Sequence, residues 1–257
     1  TTRRAIRGIV HRDYGQLILV DTPGLHRPRT LLGQRLNDLV EQTLGDVDVI
    51  GFCIPANEKI GPGDNFINEQ LNEFRRAKLV AVVTKCELVS PEQLAEQLMA
   101  VSELRDWKAI VPVSAVTEDQ LEVLTKILID LMPLSPALYP PDAITDESLE
   151  ARICELIREA TLEGVRDELP HSIAVTIDEM SRRKGKDLTD IHANIFVERD
   201  SQKGIIIGKG GIMLKRLGRE ARLEIEKFIE GKVFLETFVK VDKDWRGSDQ
   251  KLKKYGY

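Results

Sequence analysis

Four short runs hold side chains able to do chemistry. Asp21-Thr22-Pro23-Gly24 follows directly on the apolar residues 17–20. A carboxylate at the carboxyl end of a strand sits where open α/β sheets bind ligands. There Asp21 can hold a Mg2+ ion through water, and Gly24 lets its backbone N–H come close to a γ-phosphate. Thr84-Lys85-Cys86-Glu87 follows a second apolar run, residues 79–83. The Glu87 carboxylate can accept two hydrogen bonds from the N1–H and 2-amino group of guanine, which adenine cannot supply, and Lys85 can lay its stem across the base. Ser114-Ala115 ends the next apolar run, with backbone N–H groups in reach of the guanine oxygen. Taken singly, these are also what a ligand-free turn or a polar strand end looks like. Their order along the chain, each at the end of a successive strand, favours a nucleotide site, with Thr22, Pro23 and Thr84 as further contacts.

The fourth run, Gly208-Lys209-Gly210-Gly211, has the form G-x-x-G and opens a helical stretch. Two glycines let a nucleic-acid backbone approach, and the helix N-terminus offers N–H groups and a positive dipole end to phosphate. Residues 199–227 carry eight Lys and Arg against four Asp and Glu. A dinucleotide loop would need three spaced glycines after a strand in a βαβ unit. The RNA-binding candidates are Lys203, Ile207, Gly208, Lys209, Gly210, Gly211 and Lys215, with bases lying against a groove of Ile206, Ile207 and Leu214.

These runs need elements to position them. Residues 5–10 and 17–20 read as strands joined through Asp13-Tyr14-Gly15, an antiparallel hairpin. A helix over 33–44, a strand over 47–54, a helix over 63–75 and a strand over 79–83 follow. Ser90 caps a helix that starts at Pro91 and runs to 104. A strand at 109–113 and a helix at 118–131 complete an alternation typical of a mostly parallel sheet covered on both faces. Pro133, Pro136, Pro140 and Pro141 then mark a linker rather than an element. Beyond it lie a helix over 149–168, a strand over 172–180, the basic loop Arg182-Arg183-Lys184-Gly185-Lys186 and a strand over 189–198. The apolar piece 204–207, a helix over 212–229 and a strand over 233–241 follow, an α-β-β-α-α-β order. The basic loop and the tail Lys251-Leu252-Lys253-Lys254 read as solvated charge, with added phosphate contacts as the alternative.

The 257 residues are 42% hydrophobic and 31% charged, which excludes a disordered chain. The 18 glycines have no three-residue period, which excludes collagen. No run of about 18 uncharged apolar residues suggests a membrane span. Three distant cysteines argue against a disulfide framework or a zinc cluster and for a reducing, cytosolic setting. The net charge of −5 is uneven. Residues 1–147 hold 15 Lys and Arg against 22 Asp and Glu, whereas the remainder hold 22 against 20, so the second half suits a polyanion better. None of His11, His26, His171 and His192 has ligand spacing or a nucleophile beside it.

The first three runs together resemble the GTP-binding boxes of Ras-like GTPases. With the G-x-x-G unit they resemble the Era family of bacterial GTPases over nearly the whole chain. The carriers are Thr1-Thr2-Arg3, Asp21-Thr22-Pro23-Gly24-Leu25-His26, Pro62-Gly63-Asp64, Leu169-Pro170-His171-Ser172 and the long run from Glu198 to Gly211. The resemblance implies an α/β Ras-like P-loop GTPase domain over 1–132, a Pro-rich linker over 133–146, and a smaller α+β type II KH domain over 147–257. It implies GTP and GDP as ligands with Mg2+, and K+ as an aid to hydrolysis. Thr2, Asp21 and Gly24 would serve hydrolysis, and Thr2 with Asp21 would hold the metal; Thr1 is an alternative for the threonine. The expected partners are 16S ribosomal RNA near its 3′ end and the 30S subunit, whose assembly the family assists. A cytoplasmic monomer with peripheral inner-membrane association is also implied.

The chain departs from the family pattern at two points. The phosphate-loop pattern G-x-x-x-x-G-K-[ST] does not occur in it and is expected upstream of residue 1. Glu87 stands where the family has Asp, so its extra methylene shifts the bidentate geometry. Both points leave a second reading open, an RNA-binding scaffold with a degenerate GTPase domain. A nucleotide-sugar or dinucleotide enzyme lacks a catalytic residue set.

Overall fold

The computed structural model describes residues 5–24, 31–164 and 173–256. Thr1, Thr2, Leu25, His26 and residues 169–172 lie outside these, so no contact of theirs is assigned. By backbone contacts the described chain separates into two units, one of residues 5–24 and 37–146, the other of residues 31–36 and 147–256.

In the first unit, β1 (Ile6–Arg12) and β2 (Gly15–Asp21) pair antiparallel from Ile6↔Asp21 to Arg12↔Gly15, the expected hairpin. A second sheet has the order β3-β4-β5, all parallel, from β3 (Val49–Pro55), β4 (Lys78–Thr84) and β5 (Ala109–Pro112). The apolar run in β4 is buried on both faces. Ala81 and Val83 pack with Ile54, Leu71 and Val101, while Val80 and Val82 pack with Leu17, Val111 and Leu128. A strand covered twice has no polar alternation, which is why it reads as a continuous apolar stretch. The helices are α1 (Leu31–Asp46), whose first six residues belong to the other unit, α2 (Pro62–Gln70), α3 (Pro91–Leu104) and α4 (Leu121–Asp130). Ser90 caps α3 as expected: its Oγ accepts from the Gln93 backbone N–H at 3.3 Å, and Gln93 reaches back to the Ser90 N–H. The helix expected from residue 118 begins only at Leu121, because Glu118 and Gln120 both take left-handed backbone at φ 60°.

The second unit runs α5 (Leu149–Gly164), β6 (Ala174–Arg182), β7 (Leu188–Val197), α6 (Asp200–Ile207), α7 (Ile212–Phe228), β8 (Lys232–Val241) and α8 (Asp249–Lys254). The sheet order is β6-β7-β8, with β6–β7 antiparallel and β7–β8 parallel. Ile153 and Ile157 of α5 and Leu217, Ala221 and Ile225 of α7 bury one sheet face against Ile191, Ile195 and Val233. On the opposite face, Ala174 and Phe196 pack with Leu32, Trp245, Leu252 and Tyr255.

Two sequence expectations fail here. The apolar piece at 204–207 is the end of helix α6; Gly204 near its middle and the absence of an Asn, Asp, Ser or Thr cap hide it from pattern reading. The tail is not merely solvated charge. It forms α8, with Leu252 fully buried and the Lys251 Nζ donating to Asp242 Oδ1 at 2.5 Å.

Candidate nucleotide and RNA sites

The carboxyl ends of the parallel strands β4 and β5 bring together the candidates Thr84–Glu87 and Ser114–Ala115. Beyond Thr84, the chain is turned by Lys85 in the left-handed region (φ 59°, ψ 37°), and a short 3-10 turn over Cys86–Leu88 follows. Two backbone hydrogen bonds fix this loop to its neighbours: Cys86 N–H to Val113 O at 3.3 Å, and Ala56 N–H to Thr84 O at 2.7 Å. Glu87 thereby lies beside Ser114. The Ser114 hydroxyl beside it, with a backbone N–H and the Lys85 charge, holds that exposed carboxyl below the usual range. Ser114 is 1% exposed and its Oγ also accepts from the Thr117 N–H at 3.1 Å. The sequence reading gave Ser114 only a backbone role. Its hydroxyl as a brace for Glu87 has no local sequence signal, since the partners are 27 residues apart. The Lys85 ammonium, half exposed, lies 3.8 Å from Glu58.

Asp21 ends β2 and is exposed, followed by Thr22, buried Pro23 and exposed Gly24. The Cys53 thiol on β3 is pushed up by desolvation and further by the negative charge of Asp21. Cys53 is two residues from the end of β3, so Asp21 lies toward the same sheet end as the Thr84–Glu87 loop. An exposed carboxylate at a strand end is a donor that fits Mg2+. That ion takes one or two carboxylates plus phosphate oxygens rather than a full protein cage.

In the other unit, Gly208, Gly210 and Gly211 all have positive φ (69°, 62° and 78°). The loop makes a single 3-10 turn, with Gly208 N–H bonded to Gly204 O at 2.9 Å and Gly211 N–H to Gly208 O at 3.2 Å, before α7 begins. A Cβ on Gly208 would lie 2.7 Å from Met213 Cβ, while one on Gly210 would meet open space. Gly208→Ala should therefore strain the turn and lower stability by about 1–3 kcal/mol, and Gly210→Asn by well under half of that. Thermal melts of both variants check this, and equal losses would refute the different roles.

Lys209 and Lys215 are exposed and Lys203 half-buried, and no described acidic group pairs with any of the three. Nearby cations differ: Arg216 pairs with Glu220 at 2.9 Å and Lys227 with Glu224 at 2.6 Å. Three uncompensated lysines around a glycine turn are a standing attraction for phosphate. The groove expectation needs a correction. Ile206 is fully buried in the core and cannot touch a base. The apolar residues that do face solvent here are Ile205, 40% exposed, and Ile212, 72% exposed. Successive side chains of α6 are turned about 100° apart, so Ile205 points out where Ile206 points in.

A Ras-like GTPase domain followed by a KH domain is the class that this fold defines. The KH-domain family profile matches residues 168–246, and the profile described as a 50S ribosome-binding GTPase matches residues 1–85. The chain is 59% identical over 260 residues to GTPase Era of Mycobacterium sp. (strain JLS), covering 100% of this chain and 87% of that protein. It is 54% identical over 266 residues to GTPase Era of Streptomyces coelicolor, covering 100% and 84%. Two solved structures align over 100% of this chain and 87% of theirs at 32% identity. One is an Aquifex aeolicus Era variant bound to GDP·AlF4−, with TM-score 0.94. The other is Era with MgGDPNP and nucleotides 1506–1542 of 16S ribosomal RNA, with TM-score 0.95. The chain belongs to the Era family of GTPases, and is a GTP hydrolase by that membership.

Proposed function

We propose that this GTPase is switched by GTP and binds the 3′ end region of 16S ribosomal RNA through its KH domain, assisting assembly of the 30S subunit. The observation that carries the reading is the TM-score of 0.95 over the whole chain with an Era structure that holds both MgGDPNP and 16S RNA nucleotides. The unpaired lysines around Gly208–Gly211 and the Glu87–Ser114 pair support it residue by residue.

In this reading residues 1–132 form the GTPase domain, 133–146 the connection and 147–257 the KH domain. Asp21, Thr22, Pro23 and Gly24 face the phosphates, with Asp21 and Thr2 holding Mg2+. Thr84, Lys85, Glu87, Ser114 and Ala115 face the guanine. Lys203, Ile207, Gly208, Lys209, Gly210, Gly211 and Lys215 face RNA, and Ile205 and Ile212 join them as apolar contacts. The Mg2+ supplies charge neutralisation at the phosphates, while Glu87 selects the base by accepting from donors that only guanine offers. We place the protein in the cytosol; no helix among the described residues is long and apolar enough to cross a membrane.

Calorimetry of the intact protein with GTP and with ATP tests the base reader. Glu87→Ala should cut the preference for GTP over ATP by at least about 10-fold, because an unpaired guanine edge loses charge-assisted hydrogen bonds. A variant that keeps full discrimination removes Glu87 from this role.

A further inference from the structure

Residues 138–146, rich in proline, read as a spacer, yet the structure ties them to the β1–β2 hairpin of their own unit. Gln16, on β2, is the anchor. Its Oε1 accepts from the backbone N–H of Leu138 at 2.9 Å and of Tyr139 at 3.1 Å. Its Nε2 donates to Tyr139 O at 2.9 Å and lies 3.2 Å from His11 Nδ1. His11 carries the chain of bonds onward, its Nε2 lying 2.8 Å from Ala143 O. With the His11 proton on Nε2, every one of these contacts joins a donor to an acceptor. Ile9 N–H then donates to Ile144 O at 2.9 Å, and Gly8 forms an antiparallel bridge with Thr145. Beyond it, Asp146 accepts from Arg7 Nη1 and from the Tyr139 hydroxyl, each at 2.9 Å. The edge of β1 not used by β2 is thus taken by the connection itself. Prolines at 136, 140 and 141 keep it from becoming a full strand, so side chains do the work that a ladder would otherwise do.

β1 begins four residues after Thr2. We infer that Gln16 and His11 are positioning residues of the nucleotide switch, fastening the segment that leads to the KH domain onto the strand that leads from the switch threonine. This rests on the GTP-switched reading proposed above. A connection held at fixed register transmits a shift of β1, whereas a free proline-rich spacer absorbs it.

The test uses the intact protein, Gln16→Met, which keeps shape but makes none of these bonds, and Gln16→Glu, which keeps the two acceptor contacts and loses the donors. Two quantities are read: hydrogen exchange of the Leu138 and Tyr139 amides, and the ratio of affinities for a single-stranded 16S 3′-end RNA with a non-hydrolysable GTP analogue and with GDP. In Gln16→Met the two amides should exchange about 10-fold faster or more. The affinity ratio should move at least about 3-fold toward one, while RNA affinity with GDP stays within about twofold of the native value. Gln16→Glu should fall between. Exchange protection of the Val10 amide, which faces Leu17 across the hairpin, reports that the fold is intact. Unchanged amides, or released amides with an unchanged ratio, overturn the inference and leave the functional reading standing. A native ratio of one removes the switch reading and this inference with it.

Discussion

Replacing Lys209 and Gly210 together by Asp should weaken binding to single-stranded RNA from the 16S 3′ end by about 10²-fold or more. Each like-charge contact with a phosphate costs on the order of 1–3 kcal/mol, and the change also removes one attraction. The geometry separates this effect from unfolding. Both residues are exposed, a Cβ at Gly210 meets open space, and Asp is among the residues that tolerate left-handed backbone. The native protein's binding should also fall steeply with added salt. Filter binding of native and variant protein, with a duplex of equal length as control, measures this. If the variant binds as the native protein does, or the native protein prefers the duplex, Gly208–Gly211 is only a turn.

Trp245→Ala should be the most destabilising single change in the KH unit outside its helix–sheet core. The Trp245 side chain is fully buried and meets Tyr255 edge-on at 5.4 Å between ring centroids, and Tyr255 in turn lies 4.7 Å from Phe196 of β7. Truncating a buried Trp costs about 3–5 kcal/mol. For a unit of this size that lowers the melting temperature by roughly 10 °C or more. Trp245→Phe, which keeps most of the ring contact, should lose less than half as much. Calorimetric melts decide it; a Trp245→Ala protein melting with the native one would show that the cluster on that sheet face contributes nothing. The Tyr255 hydroxyl's bond to Asp242 anchors the other side of the same cluster.

The parts legible in the sequence are those whose signal is local. The double burial of β4 leaves an unbroken apolar run at 79–83, and Ser90-Pro91 with Gln93 announces the start of α3 through bonds spanning three residues. The glycine loop is legible because positive φ at three positions demands glycine or something close to it. What was hidden depends on distance or on weak patterns. Gln16 meets Leu138 across 122 residues, and nothing about a lone glutamine after a turn forecasts that its amide will saturate on a remote backbone. The Glu87–Ser114 brace is the same kind of case. Helix α8 spans six residues with one apolar side chain among lysines, too short for any period to show. The burial of Ile206 could be foreseen only by knowing that α6 is a helix, which Gly204 conceals.

The parallel pairing of β7 with β8 runs without interruption from Leu188↔Lys232 to Val197↔Val241. During synthesis, β7 leaves the ribosome with one edge satisfied by β6 and the other bare. It stays bare until some forty further residues, including α6 and α7, have emerged. Such non-local pairing is slow to form and leaves an aggregation-prone edge exposed meanwhile. The Gly208–Gly211 loop lies inside that interval, so it is made before the strand that completes its scaffold. Nascent chains arrested with residue 228 just outside the tunnel should therefore be cleaved readily by protease within 173–228. Chains arrested past Tyr255 should resist, and equal resistance at both lengths would mean that the sheet does not wait for its last strand.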